Sequence, residues 1–464
     1  MTRDGNTGEG PGFELELGQN KYLSPSDRTM HVILTVRAVG AHPPAEAAEV
    51  LLVDCSASMD WPPTKIAAAR QATAVAIDTL RDGVHFGVVR GTGRAELVYP
   101  ASGLVRATAE TRAEAKAKTR DLIAGGGTAM STWLSLAASL FAPHENVVRH
   151  AILLTDGKNE SESPEKLGRV LEECTGRFDC DARGIGDDWQ PAELERICGA
   201  LHGQADAVLA DAELAADFGR LIESAMGRVI PELRLGIRTM PFSALRFAKQ
   251  VYPSKVDMTE QVRPTGERTF ELPTGGWAVE HREYHLCFEV DPDALVPGED
   301  VQLGRIEPVG SPVSCVVVGH LTEDLALSSR VDEQVGRHTE QAELRAIVQA
   351  GWKSYDQQAT EEAVRRWGEA LRLAVKLGDD NLVTRLRRLI EEDGGGFRLR
   401  EGLRPRDIKS AVIGSGLSMD SAIPRADAGQ SEPAGEDVWC RGCRRILPST
   451  AKVCGSCGTA VAPR

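Results

Sequence analysis

Five oxygen-bearing side chains, in three short phrases spread over about a hundred residues, carry the chemistry most legible in this chain: Asp54-Cys55-Ser56-Ala57-Ser58, Gly125-Gly126-Gly127-Thr128 and Thr155-Asp156-Gly157. Asp54, Ser56, Ser58, Thr128 and Asp156 offer two carboxylates and three hydroxyls, with no imidazole or thiolate among the five. Hard oxygen donors suit Mg²⁺, Mn²⁺ or Ca²⁺ rather than zinc. Magnesium asks for about six oxygens at roughly 2.0–2.1 Å. Five protein groups, some acting through water, leave at least one position for another ligand. Hydroxyls in place of further carboxylates leave such an ion electron-poor and attractive to an incoming anion.

The flanking elements explain how these groups can meet. Glu49–Asp54 and His150–Asp156 are apolar runs that end in their carboxylates and read as buried strands. Pro62 and Pro63 precede a helical pattern through Ile66, Ala69, Thr73, Ile77 and Leu80. Strand and helix patterns alternate with short connections from 45 to 228, which predicts a doubly wound, mostly parallel sheet covered on both faces. Ligands of such sheets bind beyond the carboxyl ends of the strands. The loop Gly186-Asp187-Asp188-Trp189 follows a further strand and should share that edge. Trp61, Asp187 and Trp189 are therefore the candidate partner-contacting residues, although a tryptophan packed under a loop is the commoner outcome.

The five residues and their order resemble the metal-ion-dependent adhesion site of von Willebrand factor A domains: D-x-S-x-S, then a threonine, then the aspartate of a T-D-G phrase. The resemblance implies a Rossmann-like fold, one bound divalent ion, and a partner protein whose acidic surface residue completes the coordination.

A second metal signal lies near the other end. Cys440-Arg-Gly-Cys443 and Cys454-Gly-Ser-Cys457 are two C-x-x-C knuckles ten residues apart. Four thiolates in two tight turns predict a closed tetrahedral site for one structural Zn²⁺. About 27 residues cannot bury enough apolar surface to fold unaided, so the metal must supply that stability. The other six cysteines are scattered singly in apolar surroundings and read as core.

The remaining segments are less specific. Short strands in 12–44 and 229–328 predict an antiparallel β-sandwich with the 45–228 domain inserted in it. Helical stripes in 329–393, the last through Leu382, Leu386, Leu389 and Ile390, predict a bundle. Residues 394–437, rich in Gly, Ser, Pro and Asp, read as a flexible linker with an end-to-end distance of about 35 Å, ahead of a zinc ribbon at 438–464. The 464 residues carry a formal charge of −14, which disfavours wholesale binding to nucleic acid or anionic membranes. No apolar run reaches the ~20 residues of a membrane span, and Met1–Asn6 lacks a signal-peptide layout, so a cytoplasmic location is expected.

Catalytic motifs do not develop. His281-Arg-Glu-Tyr-His285 departs from H-E-x-x-H and falls in a strand pattern, and Gly125–Thr128 lacks the Gly-Lys-Ser/Thr of a phosphate loop. The expectation is a non-enzymatic adaptor. Resemblance to cytoplasmic bacterial A-domain proteins implies service to an AAA+ ATPase or a Ser/Thr phosphosignalling system. The alternatives are a nucleic-acid-associated factor using the ribbon, basic at Arg441, Arg444, Arg445, Lys452 and Arg464, or an accessory subunit of a metal chelatase.

Overall fold

The computed structural model describes residues 12–40, 42–418, 438–439 and 446–447. The chain divides into two units, 1–419 and 420–464. Within the second, Val438–Trp439 pairs antiparallel with Ile446–Leu447. Cys440, Cys443, Cys454 and Cys457 lie outside the described residues.

The centre of the first unit is a sheet ordered Ala205–Val208, Asp179–Ile185, Val148–Thr155, Ala47–Asp54, His85–Gly91, Ala95–Tyr99. Its first five strands run parallel and the last is antiparallel. All eight residues of Ala47–Asp54 are buried, as a parallel strand covered on both faces requires. Helices Thr64–Thr79 and Leu214–Met226 close one face over Leu51, Val53, Phe86 and Ile152. Met130–Phe141, Pro164–Cys174 and Pro191–Ala200 close the other over Val50, Leu52 and Leu153. Cys55, Cys174, Cys180, Cys198 and Cys287 are buried, and Cys315 is half-buried.

A charged rung crosses this apolar sheet. Glu49 and His150 are direct register partners, and the His150 ring reaches Glu49 from Nδ1 (2.9 Å) and Asp181 from Nε2 (3.0 Å), with both imidazole nitrogens inside the core. Burial alone would lower the His150 pKa, but Glu49 and Asp181 outweigh it and raise it to about 9. A histidine whose folded pKa lies above its ordinary 6.5 contributes stability that is complete below pH 6.5 and lost as the pH rises through about 9. His150→Ala is accordingly expected to cost about 3–5 kcal/mol at pH 7, because two buried carboxylates lose their cation. Its denaturation midpoint should also lack the wild-type fall between pH 6.5 and 9. A wild-type protein equally stable at both pH values would overturn this account.

The chain on either side of this domain forms two antiparallel sheets. One orders Gly12–Gln19, Thr29–Val39, His281–Val290, Ser243–Tyr252 and Val256–Asp257. The other orders Arg263–Gly266, Thr269–Pro273, Arg234–Thr239, Asp300–Pro308, Cys315–Leu321 and Tyr22–Leu23, the last strand pairing parallel. Val32, Leu34 and Val36 from before the inserted domain share one core with Leu235, Ile237, Leu286 and Phe288 from after it. The Ala45 amide donates to the Arg228 carbonyl at 2.9 Å, so the chain enters and leaves the inserted domain at a single point. His281 and His285 lie in the strand His281–Val290.

The helical region packs Glu333–Asp356 against Thr360–Leu377, which ends at left-handed Gly378. The third stripe departs from expectation: the helix is only Asp380–Leu386, and Ile390–Asp393 pairs with Gly396–Leu399 as a hairpin. Leu389 and Ile390 stay buried, but Gly394 and Gly395 adopt the positive φ of a turn and reverse the chain. Residues 394–437 are not a linker throughout. Pro405–Gly414 is a helix whose residues from Asp407 onward are buried, with Ile413 in the core of the inserted domain. Among the described residues no helix is long and apolar enough to cross a membrane.

Candidate metal centre

Parallel pairing in register turns sequence distance into proximity. Val53 sits opposite Leu154, so the next residues, Asp54 and Thr155, leave the sheet together with Asp156 one step beyond. The strand neighbouring Ala47–Asp54 on its other side is His85–Gly91, so the crevice lies where the strand order reverses.

Asp54 Oδ1 accepts from the Ser56 amide at 2.7 Å, and Oδ2 accepts from the Thr155 hydroxyl at 2.5 Å. Ser56 Oγ lies 2.9 Å from Ser58 Oγ, which donates to Asp156 Oδ1 at 2.6 Å. The Thr128 loop is clamped to the loop after Asp156: Ser161 Oγ accepts from the Thr128 amide and Asn159 Oδ1 from the Met130 amide. The hydroxyls converge on the backbone of Gly157, where a Cβ would lie 3.3 Å from Ser58 Oγ and Thr128 Oγ1 and 3.7 Å from Ser56 Oγ. All five predicted oxygen donors are therefore brought together.

Both carboxylates are wholly buried beneath the hydroxyls rather than facing solvent. Burial raises the Asp54 pKa to about 6, against the pull of its hydrogen bonds with Ser56 and Thr155. A buried carboxylate that no cation touches is costly to keep, and a hard divalent ion is the species this oxygen set fits. The residues that would hold it are Ser56, Ser58 and Thr128 through hydroxyls and Asp54 and Asp156 through carboxylates.

Two residues of this site escaped sequence reasoning. Thr155 stood in the quoted phrase but was not assigned a role; its hydroxyl fixes the Asp54 carboxylate. Lys65, on the first turn of Thr64–Thr79, extends Nζ to Asp156 Oδ2 at 2.6 Å. No local pattern marks that lysine, because its partner is 91 residues away.

The three candidate partner residues divide. Trp61, between Ser58 and Lys65, is 79% exposed beside the site. Trp189 is wholly buried: its ring lies on the Cα of Gly184, where any Cβ would clash, and its Nε1 donates to Gly186 O. Its role as a partner anchor is corrected to core packing. Asp187 lies on the expected loop but is taken. Arg406 grips it through Nε (3.0 Å), Nη2 (2.9 Å) and its own amide (3.0 Å), which holds the Asp187 pKa below the usual range. Asp187 anchors the helix Pro405–Gly414 rather than a partner.

Residues 48–207 match the von Willebrand factor type A domain. The structure resembles a von Willebrand factor type A protein from Catenulispora acidiphila, at 36% identity over 89% of this chain and 98% of that one, with a TM-score of 0.83. It also resembles VWA2, an ArnB paralog from Sulfolobus acidocaldarius, at 13% identity over 88% and 100% of the two chains, with a TM-score of 0.53, a likeness of fold. Comparison with curated proteins finds no match. The chain belongs to the von Willebrand factor type A family, whose domains generally bind proteins and can hold a divalent metal at the adhesion site.

Proposed function

We propose that the chain is a non-enzymatic, cytoplasmic adaptor that captures an acidic residue of a protein partner at its adhesion site. The bound ion, Mg²⁺ or its equivalent Mn²⁺ or Ca²⁺, supplies Lewis acidity toward that carboxylate. The observation that carries this reading is the convergence of Ser56, Ser58 and Thr128 hydroxyls about Gly157, above the Asp54 and Asp156 carboxylates. A hydroxyl-rich donor set favours ligand capture over acid–base catalysis, which needs a group of matched pKa in reach of a substrate. The partner classes that accompany this reading are an AAA+ ATPase and a Ser/Thr phosphosignalling component. Cys440, Cys443, Cys454 and Cys457 would hold a structural Zn²⁺ through thiolates.

Affinity capture from native cytoplasm tests the proposal: the same protein should be retained with Mg²⁺, lost with EDTA and lost with Asp54→Asn. Retention that ignores EDTA would refute it. Exposed Trp61 is the aromatic anchor at the edge. With the captured partner, Trp61→Ala should weaken binding by about 2 kcal/mol or more, at unchanged melting temperature and Mn²⁺ affinity. Full partner affinity in that variant would take Trp61 out of the interface.

A further inference from the structure

Lys65 touches the adhesion carboxylates yet supplies no oxygen to a metal. Its Nζ lies 2.6 Å from Asp156 Oδ2 and 3.3 Å from the Ser58 carbonyl, and the Asp188 carboxylate stands 4.0 Å away. The side chain is only 8% exposed, with its Cε against the Cα of Gly186. The other Asp156 oxygen is bound by the Ser58 hydroxyl. One of the two site carboxylates is therefore already paired with a cation belonging to the protein.

The charge balance gives this pair opposite effects on two ligands. Asp54, Asp156 and Lys65 together carry −1, so a divalent ion brings the site to +1. Without Lys65 the same groups carry −2, and the ion brings them to zero. The lysine thus opposes metal binding and favours whatever anion binds next. Exposed Asp188 softens this only from the rim, and the Lys409 ammonium nearby is spent on the carbonyls of Asp187 and Trp189.

We infer that Lys65 is a specificity-determining residue of the adhesion site: it weakens the hold on the metal and strengthens the metal-loaded site's demand for a carboxylate ligand. The inference rests on the adhesion-site reading above and adds a residue that sets the balance between its two ligands. A purely structural lysine, present only to neutralise Asp156, would contribute to folding without linking metal and anion.

The test titrates Mn²⁺ calorimetrically into the full chain, with acetate as the carboxylate probe and with chloride at matched ionic strength. Reciprocal linkage requires acetate to tighten Mn²⁺ binding by the same factor that Mn²⁺ tightens acetate binding. Lys65→Met should bind Mn²⁺ on the order of tenfold more tightly in chloride, and the tightening by acetate should shrink. Lys65→Arg, which keeps the charge, should retain the wild-type acetate effect and show no gain in Mn²⁺ affinity. Equal Mn²⁺ affinity in wild type and Lys65→Met, or weaker binding by the latter, overturns the inference and leaves the adhesion site standing. Failure of the wild type to bind Mn²⁺ at all, with or without acetate, overturns both. Should Lys65→Met not fold by circular dichroism, Lys65→Gln carries the same expectation, and an acetate effect equal to wild type in that variant is equally decisive.

Discussion

Asp54→Asn is expected to lose divalent-ion binding by roughly 100-fold or more, and its metal-free form should melt no lower than the wild type above pH 6. The amide keeps an acceptor for the Ser56 amide hydrogen at the Oδ1 position and can still meet the Thr155 hydroxyl, so the local hydrogen bonds survive. What disappears is the negative charge. Burial raises the folded pKa of Asp54 from the ordinary 3.8 to about 6, so the folded protein binds this proton more tightly than the unfolded chain does. Stability therefore falls as the pH rises from about 4 through 6, by at most roughly 2–3 kcal/mol once the carboxylate is ionised. Asparagine does not ionise and escapes that cost. Added Mg²⁺ or Mn²⁺ should raise the wild-type melting temperature by mass action and leave the variant unmoved. Calorimetric titration and melting curves with and without metal decide the matter; identical metal-dependent shifts in the two proteins would exclude Asp54 from the site.

Trp189→Ala should destabilise the inserted domain by about 3–5 kcal/mol, the opposite of what a surface anchor would do. The ring fills the space over Gly184 on the helix-covered face of the sheet, among Leu194, Ile197 and Leu167. Its backbone carbonyl receives Lys409 from the C-terminal helix, whose ammonium also stands 5.5 Å from the ring centroid. Truncation opens a cavity and loosens the seat of that helix together. Denaturant unfolding of Trp189→Ala beside Trp61→Ala separates the two aromatics: a large shift in midpoint is expected for the former and almost none for the latter. Comparable small shifts would mean that Trp189 does not pack as described.

The two candidate carboxylates were legible because each sits where an apolar run stops, and parallel register then does the rest: Asp54 and Asp156 need only be at matching strand ends to meet. The sheet itself was legible from alternation of strand and helix patterns. Lys65 was not, since nothing within one turn of it names Asp156 as its partner. Trp189 misled because a loop has no periodicity to say which way a side chain turns; the informative residue was Gly184, whose bare Cα makes room for the ring. The helix Pro405–Gly414 hid in a stretch whose overall composition is Gly- and Ser-rich, although Ile408, Ala411 and Val412 keep helical spacing and Pro405 at its start and Asp407 in its first turn are ordinary helix openers. Its anchor Asp187 lies 219 residues from Arg406, and Arg385, on the preceding helix Asp380–Leu386, bridges Ser410 of this helix to Asp206, 179 residues from Arg385.

That helix changes how the inserted domain is mounted. Without it, the domain meets the sandwich around the Ala45–Arg228 junction, where the Gly276 amide donates to Asp179, and where Gln261 donates to the Gly199 carbonyl. Pro405–Gly414 is a strut about 15 Å long: Arg406 fastens one end to the Asp187 loop beside the adhesion site. At the other end Gly416 O accepts from the Lys255 amide and the Ser418 amide donates to Pro253 O, fastening it to the sandwich. The helix adds a support that begins at the Asp187 loop, so the mounting resists torque better than the junction contacts alone. A pull applied at the candidate site would then be carried along the helix into the sandwich rather than taken up by rocking at the junction.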